Sequence, residues 1–167
     1  MKVLAVDPAI RNTGYAIIEG DQHKQFAIDY GVIRIPQKLP QSKALAAVRT
    51  GLKNLIQQYE PEVVAVEGII YVQSMRTAIS MGAARAATLI AAADAGLEIY
   101  EYAPKKIKQA VVGNGNAGKD QVAFMVRALL GLNETPAHDA ADALAIALAH
   151  LAAQDPLKAS ILQMKNI

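Results

Sequence analysis

The sequence predicts an α/β fold whose sheet is antiparallel on one side and parallel on the other. Three observations carry this. Strand-like runs at 2–7, 13–19 and 25–35 are joined by connections too short for anything but antiparallel pairing. Two more such runs, at 62–67 and 97–102, each follow a helix-length segment, as a right-handed parallel crossover requires. The rest of the chain is patterned for helices. The expected sheet therefore has five strands, three antiparallel and two parallel, flanked by helices.

Each element has its own warrant. Asp-Pro-Ala-Ile-Arg-Asn-Thr-Gly (7–14) joins the first two strands and is rich in turn formers, and Glu-Gly-Asp-Gln-His-Lys (19–24) does the same for the second and third. Pro-Gln-Lys-Leu-Pro (36–40) ends the meander. Residues 41–59 form an amphipathic helix with Leu45, Val48, Leu52, Leu55 and Ile56 on one face and Lys43, Arg49 and Lys53 off it, closed by Pro61. A helix at 74–95 ends at Gly96, and a short helix lies near 104–112. GNGNAG (113–118) is too rich in glycine and asparagine for either regular state, so it reads as a loop before helices at 119–131 and 137–153. One domain, 1–153, accounts for all of this. The tail 154–167 reads as disordered or a short, loosely held helix.

Composition narrows the class. A chain of 167 residues, 53% of them hydrophobic, suits one domain with a full core. No apolar stretch reaches the roughly 18 residues of a membrane span, and Asp7 interrupts the first apolar run too early for a secretory signal. Cysteine is absent, which excludes disulfides and thiolate metal sites and fits a cytoplasmic location. The net charge of +2 gives no strong overall field. Locally, Lys105, Lys106, Lys108, Lys119 and Arg127 outnumber Glu101 and Asp120 and form a modest basic patch if they share a face.

The chemistry centres on carboxylates. Asp7 ends the first strand and Glu67 the fourth. If these strands are parallel neighbours, about 4.8 Å apart, both acids lie at carboxyl ends, where open α/β sheets place their ligand crevice. Asp139 and Asp142, three apart, share a face at the start of a helix whose other residues are apolar. Each acid alone has another use. Asp-Pro is turn chemistry, and Asp139 can cap a helix. Glu67 has no turn role, and Asp142 lies beyond the cap. Brought together, the four would repel, at roughly 4 kcal/mol for one pair at 4 Å and an effective dielectric of 20. Protonation or a divalent cation relieves this, and an all-oxygen site suits Mg²⁺ or Mn²⁺. Two such ions about 3.5–4 Å apart support phosphodiester hydrolysis. His138 reads either as a ligand or proton carrier near the acids or as an exposed polar residue; His23 and His150 read as surface residues.

Four stretches in order, AVDPAIRNTGYAII, VVAVEGIIYVQSMRTAISMGAARAA, EYAPKKIKQAVVGNGNAGKDQV and HDAADALAIALAH, resemble the RuvC family of Holliday junction resolvases over roughly residues 2–150. The resemblance implies a ribonuclease H-like fold and a metal-dependent endonuclease that resolves four-way DNA junctions by paired symmetric nicks. It implies that Asp7, Glu67, Asp139 and Asp142 are the catalytic, metal-binding acids and that Lys108 and Lys119 contact DNA near the scissile phosphate. Lys105, in the same basic patch, is a further phosphate contact. Arg76 and Arg85 either reach DNA or form ion pairs. The family usually has glycine where Ala9 stands and often phenylalanine at Ile70; Tyr71 is then the candidate for stacking on bases at the junction centre. Some members carry histidine at the position of Asp139, but His138 is offset by one and does not inherit that role.

The twofold symmetry of a junction calls for a homodimer, and Ala78, Gly82, Ala86 and Ala93 on helix 74–95 offer a stripe of small residues for it. A branch-migration motor is the further partner that the resemblance implies. Two other readings stand beside this one: a non-catalytic junction-binding scaffold, and a ribonuclease H-like nuclease acting on RNA or hybrids.

Overall fold

The structure, a computed structural model, describes residues 1–70 and 74–167. Strands β1 (Lys2–Asp7), β2 (Asn12–Gly20) and β3 (Gln25–Arg34) form the antiparallel meander. Helix α1 (Gln41–Tyr59) leads to β4 (Val63–Glu67), and α2 (Met75–Asp94) leads to β5 (Glu98–Tyr102). Both strands are parallel to β1. Helices α3 (Pro104–Val112), α4 (Lys119–Leu130), α5 (His138–Ala152) and α6 (Pro156–Leu162) follow, and β6 (Lys165–Asn166) ends the order β3-β2-β1-β4-β5-β6.

The mixed α/β reading holds, with one strand more than expected. β6 pairs antiparallel with β5 through Tyr100–Asn166 and Glu101–Lys165. The tail carries the means to reach that edge. Asp155 caps α6 by accepting from the Leu157 amide, Leu162 is buried, and Gln163 turns the chain back in a left-handed conformation (φ 50°). The outer edge of β5 would otherwise present unpaired amides and carbonyls. A two-residue strand has no periodicity to read, which is why the sequence does not announce it. No helix among the described residues is long and apolar enough to cross a membrane.

Strand alternation divides the core into two layers. Val3 and Ala5 of β1 and Val63 and Ala65 of β4 pack toward α3, α4 and α5. Leu4, Val6, Val64 and Val66 pack toward α1 and α2. Helix α5 is buried on all sides from Ala143 to Leu151, and its many alanines let it lie close to the sheet. Each large side chain it buries, such as Leu144 or Ile146, contributes roughly 1.5–3 kcal/mol. This burial fixes where the start of α5 must lie.

His150 is the exception to its sequence reading: it is 1% exposed. Its Nδ1 lies 2.8 Å from the Tyr102 hydroxyl, and its ring packs 5.0 Å from that of Tyr100. The β5 tyrosines and the end of α5 enclose a position that looks terminal in the sequence. Burial pushes its pKa down to about 4, so the ring is neutral.

Candidate active site

Parity along the strands aims two acids at α5. Asp7 continues the Val3–Ala5 series and Glu67 the Val63–Ala65 series, so both side chains leave the sheet on the α5 face. The parallel ladder runs through Val6–Val66, and Asp7 and Glu67 are the next residues of each strand.

Gly14 brings α5 to them. It pairs with Asp7 across β1 and β2. A Cβ built on Gly14 would stand 2.0 Å from the Asp139 carbonyl oxygen, so the first turn of α5 rests on bare strand backbone. The helical spacing then carries Asp142 to the same face one turn on.

Charge couples the two strand-end acids to the start of α5. Burial raises the Asp7 pKa to about 7, and the charges of Asp142 and Asp139 add to this while Lys119 opposes it. Burial likewise raises Glu67 to about 7, with Asp7 and Asp142 adding and Lys108 and Lys119 opposing. Lys119, the first residue of α4, donates to Asp142 Oδ2 at 3.4 Å. Its own pKa is pushed up, by Asp142 first, and also by Asp7 and Asp139.

Excess negative charge is therefore built into this face, and an ammonium group already lies in it. Among the described residues no group of three Asp, Glu, His or Cys side chains is gathered tightly enough to clasp an ion in this arrangement. The donor set, all carboxylate oxygen, nonetheless fits a hard divalent cation, and Lys119 stands where added positive charge is needed. An open cleft of about 630 Å³ runs from Asp7 and Asp139 past the 8–12 loop to Ser80 and Met81 of α2.

The other candidates divide. The charge of Lys108 acts on Glu67. Lys105 is exposed on α3, where its carbonyl lies against Gly115 of the 113–118 loop. Arg76 is exposed in the first turn of α2. Arg85 is an ion-pair residue: it binds Glu101 and donates to the Glu67 carbonyl at 3.1 Å. Tyr71 lies outside the described residues, while Ile70 is 71% exposed. His138 turns outward, with Nε2 2.9 Å from Asp120 Oδ1. Ala9 needs no glycine conformation, since its φ is not positive, and Thr13 closes its loop by bonding the Ala9 amide and carbonyl. Sequence reasoning missed Gly14, although a glycine inside a strand signals close backbone approach.

The family model described as "Crossover junction endodeoxyribonuclease RuvC" matches residues 3–150. The chain is 60% identical to the crossover junction endodeoxyribonuclease RuvC of Akkermansia muciniphila over 167 residues, covering 100% of both. It is 46% identical to that of Halothermothrix orenii, covering 90% of this chain and 92% of the relative. Among solved structures, T. thermophilus RuvC in complex with Holliday junction substrate superposes with a TM-score of 0.88 at 32% identity, covering 100% of this chain and 99% of that one. The yeast mitochondrial Holliday junction resolvase Ydc2 shares the fold, with a TM-score of 0.65 at 16% identity over 94% of this chain and 82% of its own.

Proposed function

The chain belongs to the RuvC family of crossover junction endodeoxyribonucleases, and from that premise we propose that Asp7, Glu67, Asp139 and Asp142 are its catalytic acids. It is a Holliday junction resolvase, an endonuclease of DNA recombination and repair that depends on a divalent metal. The observation that carries the site assignment is the meeting of Asp7 and Glu67 at adjacent strand ends beneath the acidic start of α5.

The four acids would hold two ions per site, Mg²⁺ or Mn²⁺ in its place. When bound, such a pair lowers the pKa of the attacking water and offsets charge on the departing 3′ oxygen. The residues themselves do the rest. Asp7 and Glu67, each with a pKa near 7, give up their protons as positive charge arrives. Lys119 offsets the charge that develops on the phosphate, and Lys108 supports it from the Glu67 side. Lys105 and Arg76 position the backbone without reading sequence, and Tyr71 stacks on bases at the junction centre. Residues 1–153 act as the nuclease domain, with 154–167 as its tail.

Two nicks of matched geometry require two copies. The outer face of α2 presents Met75, Ile79, Gly82, Ala86, Ile90 and Ala93 at helical spacing, all exposed. This extends the stripe of small residues into an apolar seam that suits a second copy in a twofold homodimer. A branch-migration motor would deliver the junction, in the cytoplasm.

A gel of a synthetic four-way junction, with and without Mg²⁺, tests this reading. Symmetric nicking only with metal supports it, and a bound but uncut junction supports the scaffold reading. Preferential cleavage of an RNA–DNA hybrid supports the other nuclease.

A further inference from the structure

We infer that Arg85 is a positioning residue for Glu67, acting on that residue's carbonyl while Glu101 locks the guanidinium; this rests on the catalytic role proposed for Glu67. Arg85 projects from the inner side of α2 with its side chain 16% exposed. Nη1 donates to the Glu67 carbonyl oxygen at 3.1 Å, and Nη2 donates to Glu101 Oε2. Glu101 shares its strand face with Ile99, so it looks toward α2, whereas the Glu67 carboxylate leaves the sheet on the α5 face. Arg85 therefore reaches Glu67 through its backbone carbonyl from the α2 side, and it borders a small cleft together with Asp7 and Glu67.

The strand needs such a hold at this point. The β4–β5 ladder ends at Glu67–Tyr102, and the Gly68 amide makes the last bond, to the Tyr102 carbonyl at 2.9 Å. Beyond it the chain leaves the sheet, and Arg85 takes the Glu67 carbonyl. Gly68 lies against Glu101, where a Cβ would stand 3.1 Å from the carboxyl carbon. The peptide joining residues 67 and 68 is thus gripped at its carbonyl by Arg85, at its amide by β5 and at its flank by Glu101. Fixing that peptide fixes the direction in which the Glu67 side chain points. A guanidinium fork can serve a carbonyl and a carboxylate together, whereas a lysine ammonium is a point charge without that fixed geometry.

The test compares wild type, Arg85→Met, Arg85→Lys and Glu101→Gln. It reads single-turnover nicking of a saturating four-way junction, junction Kd without divalent metal, and Mn²⁺ binding to metal-free protein by calorimetry. Arg85→Met is expected to lower both the nicking rate and the Mn²⁺ affinity by about 10- to 100-fold. Its junction Kd should stay within about twofold, since phosphate contacts elsewhere carry the affinity. Arg85→Lys should recover part of the loss. Glu101→Gln preserves shape and carries the test if Arg85→Met does not fold; a drop in Mn²⁺ affinity with unchanged junction Kd supports the inference. Wild-type rates and Mn²⁺ affinity in both folded variants would overturn it, as would a loss of junction affinity in step with rate. If wild type itself fails to nick the junction, the nuclease reading falls, while a selective loss of Mn²⁺ affinity in the variants still upholds the positioning role.

Discussion

Gly14 lies directly beneath the carbonyl of Asp139, so close that a methyl group on Gly14 would stand 2.0 Å from that oxygen. Glycine here preserves a distance. Gly14→Ala must push the start of α5 off β2, carrying Asp139 and Asp142 away from Asp7. Overpacking of this kind costs about 1–3 kcal/mol. The variant is expected to melt several degrees lower and to nick junctions at least about tenfold more slowly, since small misplacements of reacting groups are costly. Thermal denaturation alongside a single-turnover assay checks both. Wild-type rates in a folded variant would separate the close approach from catalysis.

Asp7 should weaken the metal-free fold. Its pKa rises from 3.8 unfolded to about 7 folded, so between these values the folded state holds a proton that the unfolded state has released. Stability from this group therefore falls as pH rises through that window and stays low above it. Asp7→Asn should raise the melting temperature of metal-free protein at pH 8, with little difference below pH 4. Each kcal/mol corresponds to about 2–4 °C in a chain of this size. The same variant should lose nicking while still binding the junction.

His150 has the opposite sign. Its folded pKa of about 4 lies below the free value of 6.5, so stability is lost as pH falls through that window. Tyr102→Phe removes the partner of Nδ1 and is expected to cost about 1–3 kcal/mol. His150→Leu should be less stable than wild type at pH 7, with the gap narrowing toward pH 4. Melting curves across pH, taken as differences from wild type, isolate this term from those of the carboxylates.

Lys119→Ala should slow nicking more than it weakens binding. The ammonium lies 3.4 Å from Asp142, and in the proposed mechanism it meets charge developing on the phosphate. Removing one charged donor from such a site costs about 10²–10³ in rate by analogy with oxyanion stabilisation. Lys105→Ala, on the exposed rim, should mainly raise junction Kd and flatten its salt dependence. Equal rates for Lys119→Ala and wild type would remove its proposed role.

The seam on α2 is tested by charge. Ile79→Glu, at a position 63% exposed, should leave the monomer folded and turn a sedimenting dimer into a monomer. Persistence of the dimer would place the interface elsewhere.

Much of this was legible in the residues. The strands bearing Asp7 and Glu67 declare themselves by apolar runs, and the spacing of Asp139 and Asp142 puts them on one helical face. What brings the two pairs together was harder to see. It depends on the absent side chain of Gly14, a contact between distant segments that periodicity does not encode. Arg85 was ambiguous because an arginine on a helix looks alike whether it meets DNA or a strand end. His150 was misread because only tertiary packing of Tyr100 and Tyr102 buries it. β6 was invisible because two residues have no pattern, and Tyr71 falls outside the described residues.

On the proposed reading, Asp7, Glu67, Asp139 and Asp142 share one face whose excess negative charge a divalent cation completes. Calorimetric titration of Mg²⁺ or Mn²⁺ into metal-free protein at pH 7, repeated in buffers of different ionisation enthalpy, tests it most directly. With Asp7 and Glu67 each near a pKa of 7, binding should release about one proton in total, falling toward zero by pH 9. Both binding and release should be largely lost in Asp7→Asn. Binding of equal strength in Asp7→Asn, or binding at pH 7 with no proton released, would contradict it.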